Sequence, residues 1–184
     1  MSPWAKRGDS MKTSTAVALV FLFVSVSLSA GEPAELFIDA SQVAILRPSV
    51  DSQDMHLLMK FTLPESLARK STDFACVEFE ASCNGEKDVV SLEAFRVTTA
   101  WDAATASWTA PWSTAGGDWD SDMSADWVVA EGEGKTVYLD VTDFVSAWLA
   151  RPSGNFGILV RVTEPFLGTL STDTSKVPRL RFLY

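Results

Sequence analysis

The sequence predicts an all-β fold: an antiparallel two-sheet β-sandwich of jelly-roll type, with one short helix near residues 142–150. Three observations support this class. Short segments alternate apolar and polar residues, turn-forming residues separate these segments, and only one stretch has helical periodicity. The chain has 184 residues, which is the size of one ordinary domain. We therefore predict a single β-sandwich domain over residues 31–184.

Six segments have the period of two that is typical of a strand with one buried face. They span 34–40, 55–63, 75–81, 136–141, 156–163 and 180–184. A seventh changes phase along its length: Val90 and Leu92 set one phase, and Phe95 and Val97 set the opposite one. A bulge near Ala94 would reconcile the two phases.

The helix is predicted from one apolar stripe, formed by Val141, Val145, Trp148 and Leu149. Thr142 is the expected N-cap, because a threonine hydroxyl can accept a hydrogen bond from the first free backbone amides. Pro152 and Gly154 are expected to end the helix.

Residues 1–30 have the order of a secretory signal peptide. Three basic residues, Lys6, Arg7 and Lys12, precede an apolar run at 16–24, which trails through 25–28 to the small residues at 29–31. The run is shorter than the roughly 20 apolar residues of a spanning helix. We predict a secreted protein, extracellular or at the cell surface, with no stable membrane span after cleavage. Met11 is a second candidate start.

The charge of the chain limits its partners. Acidic residues outnumber basic ones 24 to 15, which gives a net charge of −9. Removing residues 1–30 lowers it to −11. Binding to nucleic acid depends on basic side chains that neutralise phosphates, so we expect no nucleic-acid partner.

The sequence has no catalytic constellation. Its one histidine, His56, lies in a predicted strand, and no nucleophile elbow, phosphate loop or dinucleotide-binding motif is present. We therefore expect a protein that is not an enzyme. Cys76 and Cys83 would lie roughly 23 Å apart in a continuous strand, so a disulfide needs a turn between them, and free thiols are the alternative.

Five tryptophans fall within 27 residues of a segment that lacks periodicity. Indole rings can stack on sugar rings, and Trp112, Trp119 and Trp127 are our candidates for carbohydrate binding. The alternative is that these side chains cover one end of the sandwich and hold the loop. We expect Trp101, Trp108 and Trp148 to serve the fold.

Asp118, Asp120 and Asp122 alternate as D-x-D-x-D in the same segment. Such a run can supply three of the oxygens that Ca²⁺ prefers, so a structural calcium site is one hypothesis. A solvated acidic loop is the other.

A second candidate carbohydrate surface comes from the strand phases. Four basic residues are predicted opposite the apolar faces of their strands: Lys60, Arg96, Arg161 and Arg181. Adjacent strands would gather them into a basic stripe that could bind an acidic polysaccharide through charge-assisted hydrogen bonds. Scattered solubilising charge is the alternative.

Several segments together resemble the DNRLRE domain family, also classed as carbohydrate-binding module family ninety-six. These are LLMKFTLP at 57–64, ACVEFEA at 75–81, FRVTTAW at 95–101, PWSTAGGDWD at 111–120, LDVTDFVSAWL at 139–149, NFGILVRV at 155–162 and VPRLRFLY at 177–184. Trp101 and Trp108 keep the family's tryptophan spacing, and Ser107 precedes the second one. Ala103 stands where the family usually has an acidic residue. The resemblance covers about residues 34–184.

The resemblance implies an extracellular jelly-roll-like β-sandwich without catalytic residues, in which Trp101, Trp108 and Trp148 serve the fold. Some members of that family bind polysaccharides such as alginate, and many others have no known ligand. Our first functional hypothesis is therefore a secreted, non-catalytic carbohydrate-binding module that binds polysaccharide. The alternative is a structural or assembly domain of a cell-surface or matrix protein with no sugar site.

Overall fold

The computed structural model describes residues 34–50, 52, 54–68, 70–85, 89–130, 132–162, 168–172 and 176–184. The predicted signal peptide therefore lies outside the described residues. The strands are β1 (Glu35–Leu46), β2 (His56–Phe61), β3 (Phe74–Gly85), β4 (Val89–Val97), β5 (Trp119–Ala130), β6 (Gly132–Asp140), β7 (Ile158–Val162), β8 (Gly168–Thr172) and β9 (Arg179–Leu183), and the helix is α1 (Thr142–Ala150). Short 3₁₀ turns span Glu65–Leu67 and Pro152–Gly154.

The nine described strands form one antiparallel sheet that curls into a half-barrel, in the order β5-β4-β7-β2-β1-β9-β3-β6, with β8 also on β3. The start of β1 (Glu35–Asp39) pairs with β9, and its end (Ala40–Leu46) pairs with β2. The all-β class is thus confirmed. Because β1 is shared, the strands pair as one continuous sheet, and the division into two sheets is not confirmed.

We call the strands β9, β3, β6 and β8, with the start of β1, the β3 half. The strands β2, β7, β4 and β5, with the end of β1, form the β7 half. The main core lies on the inner faces of both halves. The β3 half contributes Val77, Phe79, Leu139, Leu180 and Phe182, and the β7 half contributes Leu57, Met59, Leu92, Ala94, Ile158 and Val160. Burial of each large apolar side chain contributes about 1.5–3 kcal/mol, so this core stabilises the curl of the sheet.

A second apolar cluster lies on the outer face of the β7 half. It contains Leu46, Leu58, Phe95, Val97, Trp101, Trp112 and Leu159. Several of these residues alternate with inner-core residues along their strands, so both faces of β2, β4 and β7 are buried here. The cover comes from the long connection between β4 and β5, residues 98–118, which we call the Trp loop.

The bulge predicted near Ala94 is wrong. Residues Leu92 to Arg96 of β4 pair with β7 without interruption, and the irregularity is in β5, where the pairing steps from Ser124 to Asp120. The two apolar phases of β4 instead correspond to its two buried faces. The structure also corrects the extent of the predicted loop, because β5 begins at Trp119.

The helix extends over the predicted residues, but its predicted cap is wrong. Thr142 is the first helical residue and Val141 precedes it as the N-cap. The carboxylate of Asp140 accepts hydrogen bonds from the backbone amide (3.0 Å) and the hydroxyl (2.7 Å) of Thr142. An acidic side chain at this end is favourable because it meets the positive end of the helix dipole. Among the described residues, no helix is long and apolar enough to cross a membrane.

Cys76 is a buried free thiol. Strand β3 runs continuously through Cys76 and Cys83, so the turn that a bridge between them would need is absent and the disulfide hypothesis is wrong. Burial, followed by the charge of Glu78, raises the pKa of the Cys76 thiol to about 11. The thiol is therefore protonated at neutral pH and is a poor nucleophile.

Candidate functional site

The Trp loop is held on the β7 half by the indole groups of two buried tryptophans. Trp101 donates from Nε1 to the carbonyl oxygen of Phe156 (2.7 Å), and Trp112 donates to that of Ser107 (2.8 Å). Their exposed fractions are 5% and 7%. Trp112 therefore belongs to the loop's own core and presents no face to a sugar, which corrects its assignment as a candidate for carbohydrate binding.

Asp118 fastens the end of the Trp loop to its start. Its carboxylate accepts hydrogen bonds from the amide and hydroxyl of Ser113, the amide of Thr114 and the hydroxyl of Thr99, at 2.8–3.1 Å. Burial opposes ionisation of this group, but the hydrogen bonds from Ser113, Thr99 and Thr114 outweigh it and lower its pKa to about 2. The carboxylate is thus ionised and fully used in holding the loop.

The structure does not support a calcium site on Asp118, Asp120 and Asp122. Asp118 holds the loop, and Asp120 accepts hydrogen bonds from Arg96 (2.6 Å) and from the amide of Asp122 (3.1 Å). In the part of the chain that the structure describes, no three acidic, histidine or cysteine side chains converge on one point. Loop closure by Asp118 and the ion pair of Asp120 with Arg96 account for two of the three carboxylates.

His56 lies between the Trp loop and the sheet. Its Nδ1 donates to the carbonyl oxygen of Gly116 (2.6 Å), and its ring centroid is 4.8 Å from that of Trp108 and 5.9 Å from that of Trp119. Gly116 has a φ of +95°, and a Cβ there would lie about 3.0 Å from the imidazole, so this contact requires glycine. His56 is therefore a clamp on the Trp loop.

Burial, together with the nearby charge of Arg161, lowers the pKa of His56, although the hydrogen bond to Gly116 and the charge of Asp54 oppose this change. The folded protein thus resists protonation at His56 while the unfolded chain takes up a proton below about pH 6.5. We expect the free energy of unfolding to fall as the pH drops through this range.

Urea denaturation at pH 7.5 and pH 5.5 tests this expectation. Because His56 is the chain's one histidine, the His56→Gln variant should lose most of the difference between the two pH values. An equal pH dependence in the variant and the wild type would contradict the proposed clamp.

Trp119 and Arg161, which sequence analysis placed on different candidate surfaces, meet on the outer face of the β7 half. The Arg161 guanidinium carbon lies 4.8 Å from the ring centroid of Phe95 and 5.3 Å from that of Trp119. Glu93, opposite Arg161 in the β4–β7 pairing, accepts hydrogen bonds from Arg161 Nη2 (3.1 Å) and Nε (3.3 Å). Trp119 is partly exposed and the Arg161 side chain is 35% exposed. We call Glu93, Trp119 and Arg161 the Trp119 patch.

The predicted basic stripe does not form. Arg96 shares the inner face with Leu92 and Ala94, because β4 has no bulge that would turn it outward. Arg181 lies in β9, in the β3 half, where it is paired with Glu35. Lys60 shares the outer face of β2 with His56, at the opposite end of the strand. Of the four residues, only Arg161 lies in the patch.

For the third candidate tryptophan, Trp127, the structure describes the backbone alone. Its backbone lies in β5, opposite Leu92 of β4, whereas its side chain lies outside the described part of the chain, so its role in carbohydrate binding stays a prediction.

Two contributors to this surface, Glu93 and His56, are not predicted as site residues from the sequence, which also indicates a role for Trp108 in the fold alone. Both missed residues have the phase of outward-facing residues, since Glu93 is two positions before Phe95 and His56 is two before Leu58. One feature of the sequence could have identified them: the strand faces on which they lie also carry large apolar residues, which indicates that another part of the chain covers these faces.

No protein-family model and no curated protein matches the chain.

Proposed function

We propose that the protein is a secreted, non-catalytic carbohydrate-binding module that binds polysaccharide through the Trp119 patch. The observation that carries this proposal is the contact between a partly exposed indole and a guanidinium that is itself held by a carboxylate. Such a group offers an apolar surface with a hydrogen-bond donor and an acceptor at its edge, which is what a pyranose ring with its hydroxyls requires.

The rigidity of the patch supports the proposal. Arg161 is fixed by the ion pair with Glu93 and by the rings of Phe95 and Trp119, so little side-chain entropy would be lost on binding. Trp119 is held between Phe95 (ring centroids 5.6 Å apart) and the imidazole of His56. The Trp loop that supports these rings is fastened by Asp118 and Trp101. Because a preorganised surface loses little entropy on binding, it can bind ligands such as glycans that make few strong contacts.

The proposal includes the finer features that the sequence predicts: a signal peptide at residues 1–30, an extracellular location, a jelly-roll-like sandwich and membership of the DNRLRE family. The curled sheet supports the sandwich, because one core contains residues from both halves. The burial of Trp101 and Trp148 agrees with the role that the resemblance implies for them.

Affinity electrophoresis against a panel of neutral and acidic polysaccharides, with calcium or with chelator, tests the proposal. We expect retardation by at least one glycan, and at least tenfold weaker binding in Trp119→Ala and Arg161→Ala. The β3 half offers a matched control, because the Arg179 guanidinium carbon lies 5.1 Å from the ring centroid of Phe37, which is 46% exposed. Phe37→Ala and Arg179→Ala should bind like the wild type. No retardation by any glycan would overturn the proposal.

A cleft beside the end of β1 favours the alternative, a structural or assembly domain. It has a volume of about 490 Å³ and lies between the end of β1 and residues 176–178. Two of its lining residues, Ile45 and Val177, are 40% and 51% exposed. Exposed apolar surface beside a cleft is typical of contact with another protein chain. Retardation by no glycan would leave this alternative as the better account.

A further inference from the structure

The charge of the Trp119 patch indicates which class of glycan it accepts, an inference that rests on the proposed function. Arg161 is the patch's only cation, and Glu93 binds it through two hydrogen bonds to a single oxygen, Oε2. The two side chains are 35% and 22% exposed, and they lie opposite each other on adjacent strands. The pair therefore presents little net charge to a ligand.

The atoms left over in this pair match hydroxyl groups. The contacts between the described residues use Nε and Nη2 of Arg161 and Oε2 of Glu93. Arg161 Nη1 thus remains as a donor and Glu93 Oε1 as an acceptor. A sugar hydroxyl both donates and accepts, so two neighbouring hydroxyls of one ring can engage both atoms. A uronate or sulfate group can accept from Nη1 but is repelled by the carboxylate of Glu93.

The surroundings add little positive charge near the patch. Three other cations of the sheet are paired with acids: Arg96 with Asp120, Arg179 with Glu78 and Arg181 with Glu35. Lys60 shares the outer face, but it lies four residues along β2 from His56, the residue opposite Arg161, which is roughly 13 Å in a strand. The chain as a whole carries a net charge of −9, so a polyanion is repelled on approach. The sequence predicts a stripe of basic residues that could bind an acidic polysaccharide, whereas in the structure Arg96, Arg161 and Arg181 are each paired with an acidic residue.

We propose that the Trp119 patch selects neutral polysaccharides, and that Glu93 is the residue that excludes acidic ones by neutralising Arg161. Glu93 acts in two ways here: it offers an acceptor to a ligand hydroxyl, and it cancels the charge that would attract a ligand carboxylate. Removal of its charge therefore converts the patch into a cationic one with the same aromatic ring beside it.

The test compares wild type, Glu93→Gln and Glu78→Gln on neutral β-glucan and galactomannan and on polygalacturonate and alginate. The Glu78→Gln control removes the same charge from an equivalent ion pair, Glu78–Arg179, in the β3 half. At low ionic strength we expect the wild type to bind a neutral glycan at least tenfold more tightly than an acidic one. Glu93→Gln should raise the acidic-to-neutral ratio of affinities about tenfold, and Glu78→Gln should leave it within twofold.

Three outcomes would overturn the proposal. The first is that the wild type binds acidic glycans as tightly as neutral ones. This result would contradict the proposed selectivity but not the proposed carbohydrate binding. The second is an equal shift in both variants, which would show an effect of total charge. The third is binding to no glycan, which overturns the proposed function as well. If Glu93→Gln fails to fold, the salt dependence of wild-type binding tests the proposal instead. Binding to a neutral glycan changes little with salt, as the proposal expects, whereas affinity for a polyanion falls steeply with salt and would contradict it.

Discussion

Replacement of Gly157 by alanine is expected to lower the free energy of unfolding by roughly 2–5 kcal/mol. Gly157 has a φ of +92°, and a Cβ built there would lie 2.2 Å from the carbonyl oxygen of Met59. The left-handed backbone costs a non-glycine residue about 1–2 kcal/mol, and overpacking in a dense core commonly costs a further 1–3 kcal/mol. The clash is with backbone atoms of β2, so no side-chain rotation can relieve it.

A substitution at Gly157 is also expected to disturb the elements that hydrogen-bond to residues 156 and 157. Its carbonyl oxygen accepts a hydrogen bond from the amide of Val97 (2.9 Å), and the adjacent Phe156 carbonyl accepts the indole of Trp101. A shift at Gly157 therefore disturbs β2, β4 and the Trp loop together. Urea denaturation measures the effect, with Gly154→Ala as the matched control, since a Cβ at Gly154 meets no atom within 4 Å. Equal stability of the two variants would contradict this packing.

The second large effect is expected at Trp101, where alanine should cost about 3–5 kcal/mol, the usual range for a large aromatic residue removed from a core. The indole is 5% exposed, belongs to the outer cluster, and donates to the carbonyl oxygen of Phe156. Its loss leaves a cavity beneath the Trp loop and a partly buried carbonyl without its indole donor. The loop should then loosen, so glycan binding should weaken along with stability.

Trp101→Phe separates the two contributions. It keeps most of the apolar ring but removes the Nε1 donor, so it should cost roughly 1–3 kcal/mol, the usual penalty for an unsatisfied buried polar group. Thermal and urea denaturation of both variants provide the comparison. A Trp101→Ala protein as stable as the wild type would show that the Trp loop contributes nothing to the fold.

The strand pattern could be predicted where one face of a strand is buried and the other is exposed. In β3, for example, Ala75, Val77 and Phe79 alternate with polar residues, and the prediction agrees with the observed core. It failed in β4, because Phe95 is buried by the Trp loop while Ala94 is buried in the main core. A contact of this kind between a loop and a sheet leaves two apolar phases in one strand, which resemble a bulge.

The candidate site could be predicted only in part, because its members come from separate strands. Trp119 and Arg161 were each identified, but their contact depends on the pairing of β4 with both β5 and β7, which local periodicity does not reveal. The burial of Trp112 likewise depends on how the Trp loop folds back on itself. The ion pair between Glu93 and Arg161 is the reason that we propose a neutral glycan where the predicted basic stripe suggested an acidic one, and no spacing in the sequence indicates that pair.

The measurement that tests the central claim most directly is a titration of ¹⁵N-labelled protein with a soluble neutral oligosaccharide, followed through the tryptophan indole N–H resonances. Trp119→Phe assigns the Trp119 resonance, and Trp148, which is 1% exposed in the main core, serves as the internal reference. We expect saturable shifts at Trp119, with Trp148 unchanged. An unshifted Trp119 resonance in the presence of a glycan that retards the protein would contradict the assignment of the Trp119 patch as the binding site.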